Sequence, residues 1–148
     1  PACRRRDWWT AADKAQFTRA TDMLAAQFDD YKPFEDANVN GRLTLGENIA
    51  DSAGLQAAYD AWKLSLNGKE APVIDGFTGD QRFFLGWAQN YRSAFREAAL
   101  RNRLLTDVHA PGPYRAQTVR NLDAWYEAFD VKPGQKLYLD KAQRVPVW

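Results

Sequence analysis

A mainly α fold with at most short strands is the architecture this sequence predicts, and three observations predict it. Thr10, Thr44 and Thr78 each stand three residues before a side chain that can reach back, namely Asp13, Glu47 and Gln81. That is the capping-box pattern, in which hydroxyl and carboxylate (or amide) satisfy backbone N–H groups that a helix start leaves unpaired. Each threonine also opens a run of apolar residues at helical rather than alternating spacing. The first two runs close on chain breakers, Pro33 and Asn67-Gly68. The 148 residues suit one compact domain, with no internal repeat and no low-complexity tract.

The elements follow in order. The first helix is expected from Thr10, carrying Phe17, Ala20, Leu24 and Phe28, and ends before Pro33. The second starts at Thr44 with two stripes, Ile49–Ala53–Ala57 and Leu55–Tyr59–Trp62–Leu66, which predict burial on more than one side. Pro72, Gly76 and Gly79 mark the loop before a third helix from Thr78. On that helix Phe84, Trp87, Tyr91, Ala94 and Ala98 share a face. Asn102 to Arg120 lacks a strong period, holds Pro111, Gly112 and Pro113, and reads as a long loop. A short fourth helix runs from Asn121 to about Phe129, and Lys132-Pro133-Gly134 turns the chain. A short strand is plausible around Leu137 to Leu139, and Val145 to Trp148 ends the chain extended.

The totals exclude several classes of function. Twenty Lys and Arg against nineteen Asp and Glu leave a net charge of +1, which gives no reason to expect nucleic-acid binding or an electrostatic membrane anchor. Cys3 is the single cysteine, so neither an internal disulfide nor a cysteine-rich zinc knuckle can form. No apolar run is long enough to span a bilayer. The chain begins at Pro1 without an initiator Met and reads as an excised or processed piece. With 14% aromatic residues, some rings are expected to pack against parts of a larger protein.

Glu47 and Asp51 lie four residues apart in a helical stretch, so their carboxylates share a face. One such carboxylate can bind zinc, at about 2 Å. The other can accept the ring N–H of a ligating histidine and fix its tautomer. The same residues also suit a metal-free helix start, with Glu47 in a capping box and Asp51 in solvent. His109, the only histidine, sits in the Pro/Gly-rich stretch with Arg115 six residues on. Either could be a working residue of a functional loop or an ordinary surface residue.

Longer stretches carry a resemblance. Asn38 to Leu55 (N-V-N-G-R-L-T-L-G-E-N-I-A-D-S-A-G-L) resembles the G-E-N-I-A-D segment of the neprilysin family of zinc metallopeptidases. Asp7-Trp8-Trp9-Thr10, Phe83-Phe84-Leu85 with Ala88-Gln89, and Thr106 to Gly112 (T-D-V-H-A-P-G) resemble further family segments in the same order. Arg115 and Trp148 also fall where the family has them, so the resemblance covers nearly the whole chain from Asp7.

The resemblance implies the helical C-terminal portion of a gluzincin-type metallopeptidase catalytic domain over residues 1–148. It makes Glu47 the third zinc ligand and Asp51 the support of a ligand histidine. It makes His109 the donor to the oxyanion of the tetrahedral intermediate and Arg115 the group that holds a substrate carbonyl. Asp107 is expected to orient the His109 ring. Asn90 and Tyr91 fall at the wall of the pocket for the residue after the cut, where relatives often have an aliphatic residue and Trp, so pocket preference is open. The family's H-E-x-x-H helix, with two ligands and the general base, is absent here and belongs upstream. One zinc ion is therefore expected in the intact enzyme and none on this chain alone. The partners implied are peptide substrates, cut on the amino side of hydrophobic residues, and the missing N-terminal part. The single cysteine points to a bacterial member, periplasmic or extracellular, with the cytoplasm as the alternative. A non-catalytic helical fragment, or a degenerate homologue acting as a binding module, is the competing reading.

Overall fold

The computed structural model describes residues 8–146; Cys3, Asp7 and Trp148, used above, lie outside them. Among the described residues six α-helices follow one another: α1 (Ala11–Asp29), α2 (Leu45–Ser65), α3 (Gly79–Asn90), α4 (Glu97–Thr106), α5 (Gly112–Arg115) and α6 (Asp123–Phe129). Tight 3-10 turns occupy Ala116–Asn121 and Lys141–Gln143. The fold is mainly α, and among the described residues the β pairings are two isolated bridges, Phe34 with Ala37 and Ile74 with Phe77.

Two of the three expected capping boxes form. The Asp13 amide donates to Thr10 Oγ1 at 3.1 Å, and the Thr10 amide to Asp13 Oδ2 at 3.0 Å. Thr78 and Gln81 repeat the exchange at 3.2 and 3.0 Å. The box expected at Thr44 and Glu47 does not form. A turn already precedes the helix there: the Thr44 amide donates to Asn40 O at 3.1 Å and the Leu43 amide to Asn40 Oδ1 at 2.9 Å. Thr44 is thus helical itself (φ −92°, ψ 0°), and its hydroxyl donates to Asn40 O and accepts from Asn48 Nδ2. Glu47 is released from capping.

The inner face of α2 differs from its two expected apolar stripes. It buries Asn48, Asp51, Ser52 and Leu55, while Ala57 is exposed. Toward its N-terminus the helix therefore turns polar side chains inward. One core cluster joins Leu24, Phe28, Tyr31, Val39, Ala110 and Val145. A second joins Leu55, Phe84, Val119, Leu122, Trp125 and Tyr126. α2 runs between them, with Ile49 packed on the first and Leu55 inside the second.

Three further expectations need correction. The third helix stops at Asn90 instead of continuing, and Ala94 and Ala98 are exposed. The reason is tertiary: Gly112 backs onto the Tyr91 carbonyl so closely that a Cβ there would lie 2.5 Å from the oxygen. The expected long loop from Asn102 is largely ordered as the end of α4, α5 and a 3-10 turn. α4 has no buried residue, so no apolar period announced it; Arg101 holds it through Asp36 and Glu97. No strand forms at Leu137 to Leu139, because side chains take the backbone groups: Arg120 Nε donates to Leu137 O, and the Leu139 amide donates to Tyr126 Oη.

Candidate functional site

The site grows from the first two turns of α2. Glu47, freed from the cap, and Asp51, one turn on, meet two different partners from the far end of the chain. His109 is half-exposed, with Nε2 3.1 Å from Glu47 Oε2. Its other nitrogen, Nδ1, lies 2.9 Å from Asp107 Oδ1, and the same oxygen accepts the His109 amide at 2.9 Å. Each ring nitrogen therefore faces a carboxylate oxygen, and each bond needs a proton on its own nitrogen. Asp107 Oδ2 pairs with Arg103 one turn back on α4. The two His109 bonds hold the Asp107 carboxyl below its ordinary range, and the Arg103 charge adds to this.

Asp51 makes a separate cluster. Its side chain is 7% exposed and takes a two-pronged bond from Arg115, Nε to Oδ2 and Nη2 to Oδ1, both 2.7 Å. Tyr91 adds a hydroxyl bond to Asp51 Oδ1 at 3.3 Å, and its ring lies under the Arg115 guanidinium at 4.8 Å. The bonds to Asp51 bind the proton on Arg115 more firmly than usual, and the nearby Glu47 charge works in the same direction. The third arm of the fork, Nη1, has no acceptor among the described residues, so it is available to a carbonyl oxygen.

Five of the six sequence-derived residues are thus gathered: Glu47 with His109, and Asp51 with Arg115 and Tyr91. Asn90 is exposed at the end of α3, and its side chain makes no hydrogen bond to the described residues. Arg103 was missed. Its only sequence signal is i,i+4 spacing to Asp107, which is common on helices.

A model of peptidase family M13 matches residues 2–145. This chain belongs to peptidase family M13. The M13 chain is 36% identical over 150 residues to Neprilysin-21 of Caenorhabditis elegans, covering 96% of this chain and 19% of that protein. It is 36% identical over 148 residues to human endothelin-converting enzyme 1, covering 97% and 19%. It also superposes on the crystal structure of the Mycobacterium tuberculosis zinc metalloprotease Zmp1 in complex with inhibitor, with a TM-score of 0.93 and 45% identity over 95% of this chain and 22% of that one. The M13 chain therefore spans about a fifth of the length of these relatives. No helix among its described residues is long and apolar enough to cross a membrane.

Whether this M13 chain fits zinc turns on its donor set. Among the described residues no three His, Cys, Asp or Glu side chains are grouped to hold a metal ion. Glu47 fits as one ligand: a hard oxygen donor, 39% exposed, outside any helix cap and paired with no Lys or Arg among the described residues, its partner being the His109 ring. Asp51 and Asp107 do not fit as further ligands, because Arg115 and Arg103 already neutralise them.

Proposed function

We propose that this chain is the C-terminal part of a zinc-dependent endopeptidase, supplying the third zinc ligand and the groups that hold the peptide under attack. The observation that carries this is the pairing of Glu47 with His109 across the α2 start. Glu47 would hold the ion together with ligands from the part of the protein outside this chain. The ion, when bound, supplies Lewis-acid polarisation of the scissile carbonyl and activation of water.

The chain's own residues do the rest. His109 Nε2 is the nitrogen not held by Asp107, and in this structure it meets a carboxylate oxygen of Glu47. A nitrogen placed to meet an anionic oxygen is equally suited to donate to a carbonyl oxygen gaining charge. Arg115, pinned by two bonds to Asp51 and by the Tyr91 ring, offers Nη1 to a second peptide carbonyl and so fixes the register of the chain. Asp51 thereby serves the site by holding Arg115; support of a ligand histidine, the role implied by resemblance, would have to share this carboxylate. Tyr91 and Asn90 at the end of α3 line the side chain that follows the cut, expected to be hydrophobic.

The test is made on the full-length protein. Glu47→Ala is expected to lose both zinc, measured by metal analysis, and cleavage of a reporter peptide. His109→Ala is expected to keep zinc while kcat falls about 10²- to 10³-fold, the cost of removing one such donor. Full zinc occupancy in Glu47→Ala would refute the ligand assignment. A wild-type protein without an upstream H-E-x-x-H and without cleavage would instead be a binding module.

A further inference from the structure

Asp107 stands where a carboxylate is disfavoured. It is the C-cap of α4, its amide donating to Arg103 O at 2.8 Å, beside the negative end of that helix. Yet both its oxygens are engaged and the side chain is only 19% exposed. Oδ1 takes the His109 amide and ring nitrogen, whereas Oδ2 is taken by Arg103. Arg103 is fixed in turn, its guanidinium stacked 4.7 Å over the Phe95 ring in the segment between α3 and α4. α4 buries no side chain, so Arg103 is not there to fill a core.

We propose that Arg103, held by Phe95, is a positioning residue for His109, acting through Asp107. This rests on the reading of His109 as the donor to the peptide carbonyl. The physical argument is rotational. A carboxylate gripped only through Oδ1 can turn about its terminal torsion and exchange its oxygens. The second grip on Oδ2 removes that freedom, so the ring is held through Nδ1 with Nε2 aimed at the Glu47 side. Placement of Arg103 on one oxygen leaves the other for His109, amide and ring together, a division that a charge alone does not enforce.

Two readouts test this. His109 is the only histidine of the 148-residue chain, so its Nδ1 proton gives a single resonance after 15N-histidine labelling. Asp107→Asn is expected to abolish the protection of that proton from solvent exchange. Arg103→Gln and Phe95→Ala should speed its exchange about two- to fivefold, in keeping with a half-exposed ion pair. Arg103→Lys, which keeps the charge but not the fork, should recover part of the protection. In the zinc-loaded full-length protein the Arg103→Gln variant should lower kcat by about the same factor and leave KM unchanged, as for an interaction felt only in the transition state. Unchanged Nδ1 exchange in Arg103→Gln, with Asp107→Asn altered, would overturn the proposal while leaving the peptidase reading intact. A wild-type protein that cleaves no peptide would remove the peptidase reading, and the exchange measurement would still decide whether Arg103 orients the ring.

Discussion

Asp51 is the one carboxylate among the buried polar side chains of the described residues, and Arg115 is what makes its burial tolerable. Removing Arg115 leaves that charge with a single 3.3 Å bond from Tyr91. Arg115→Ala should therefore cost about 2–4 kcal/mol in urea unfolding, toward the lower side of a broken buried pair because Arg115 is 20% exposed. A cost below about 0.5 kcal/mol would mean that Asp51 is well solvated. Asp107 makes a pH-dependent contribution. Its folded pKa is lowered, so the unfolded state binds its proton first as pH falls. Its stabilisation is complete above the ordinary aspartate value of 3.8 and is lost as pH drops through the lower folded value. The Tm gap between wild type and Asp107→Asn should close as pH falls below about 3.8, the same ordinary value. A gap that widened on acidification would contradict the sign.

The placement of α2 against α1 decides where Glu47 points. Gly41, just before α2, approaches the α1 backbone so closely that a Cβ would lie 2.0 Å from the Ala25 carbonyl oxygen, and its amide bonds Asp29 Oδ1 at 2.6 Å. Both partners are on α1, and the oxygen is backbone that cannot swing aside. Gly41→Ala should cost about 1–3 kcal/mol by overpacking, lowering Tm by roughly 2–4 °C per kcal/mol. Gly54, inside α2, is the contrast: a Cβ there meets nothing within 4 Å. Gly54→Ala should be neutral or stabilise by up to about 1 kcal/mol through helix propensity. Paired thermal melts check both signs at once.

Across the whole molecule the site is brought together by residues far apart in sequence, Glu47 with His109 and Asp51 with Arg115. Together these offer a zinc ion one carboxylate, Glu47, and one imidazole, His109, already bonded to each other, too few donors to outbid water for the ion. Added zinc should leave the Tm of the isolated chain unchanged, because a ligand stabilises only in proportion to its affinity for the folded state. A Tm rise that saturates at one equivalent of zinc would show a complete site within this chain and overturn the assignment of Glu47 as one ligand of a shared set.

Local chemistry was readable from the residues alone. The boxes at Thr10 and Thr78 draw on four residues each, and both form. The helical class and the shared face of Glu47 and Asp51 follow from periodicity, and the family follows from motif order. Three things were decided only by the folded chain. Asn40 took over the start of α2 and released Glu47 to face His109. Close approach of Gly112 to Tyr91 ended α3 where the apolar stripe would have continued. Arg103, on a helix with no buried face and hence no period, became part of the His109 setting. Each depends on contacts between segments whose spacing along the chain carries no periodic signal. A sequence fixes what each residue can bond, and the packing of distant segments decides which of those bonds is made.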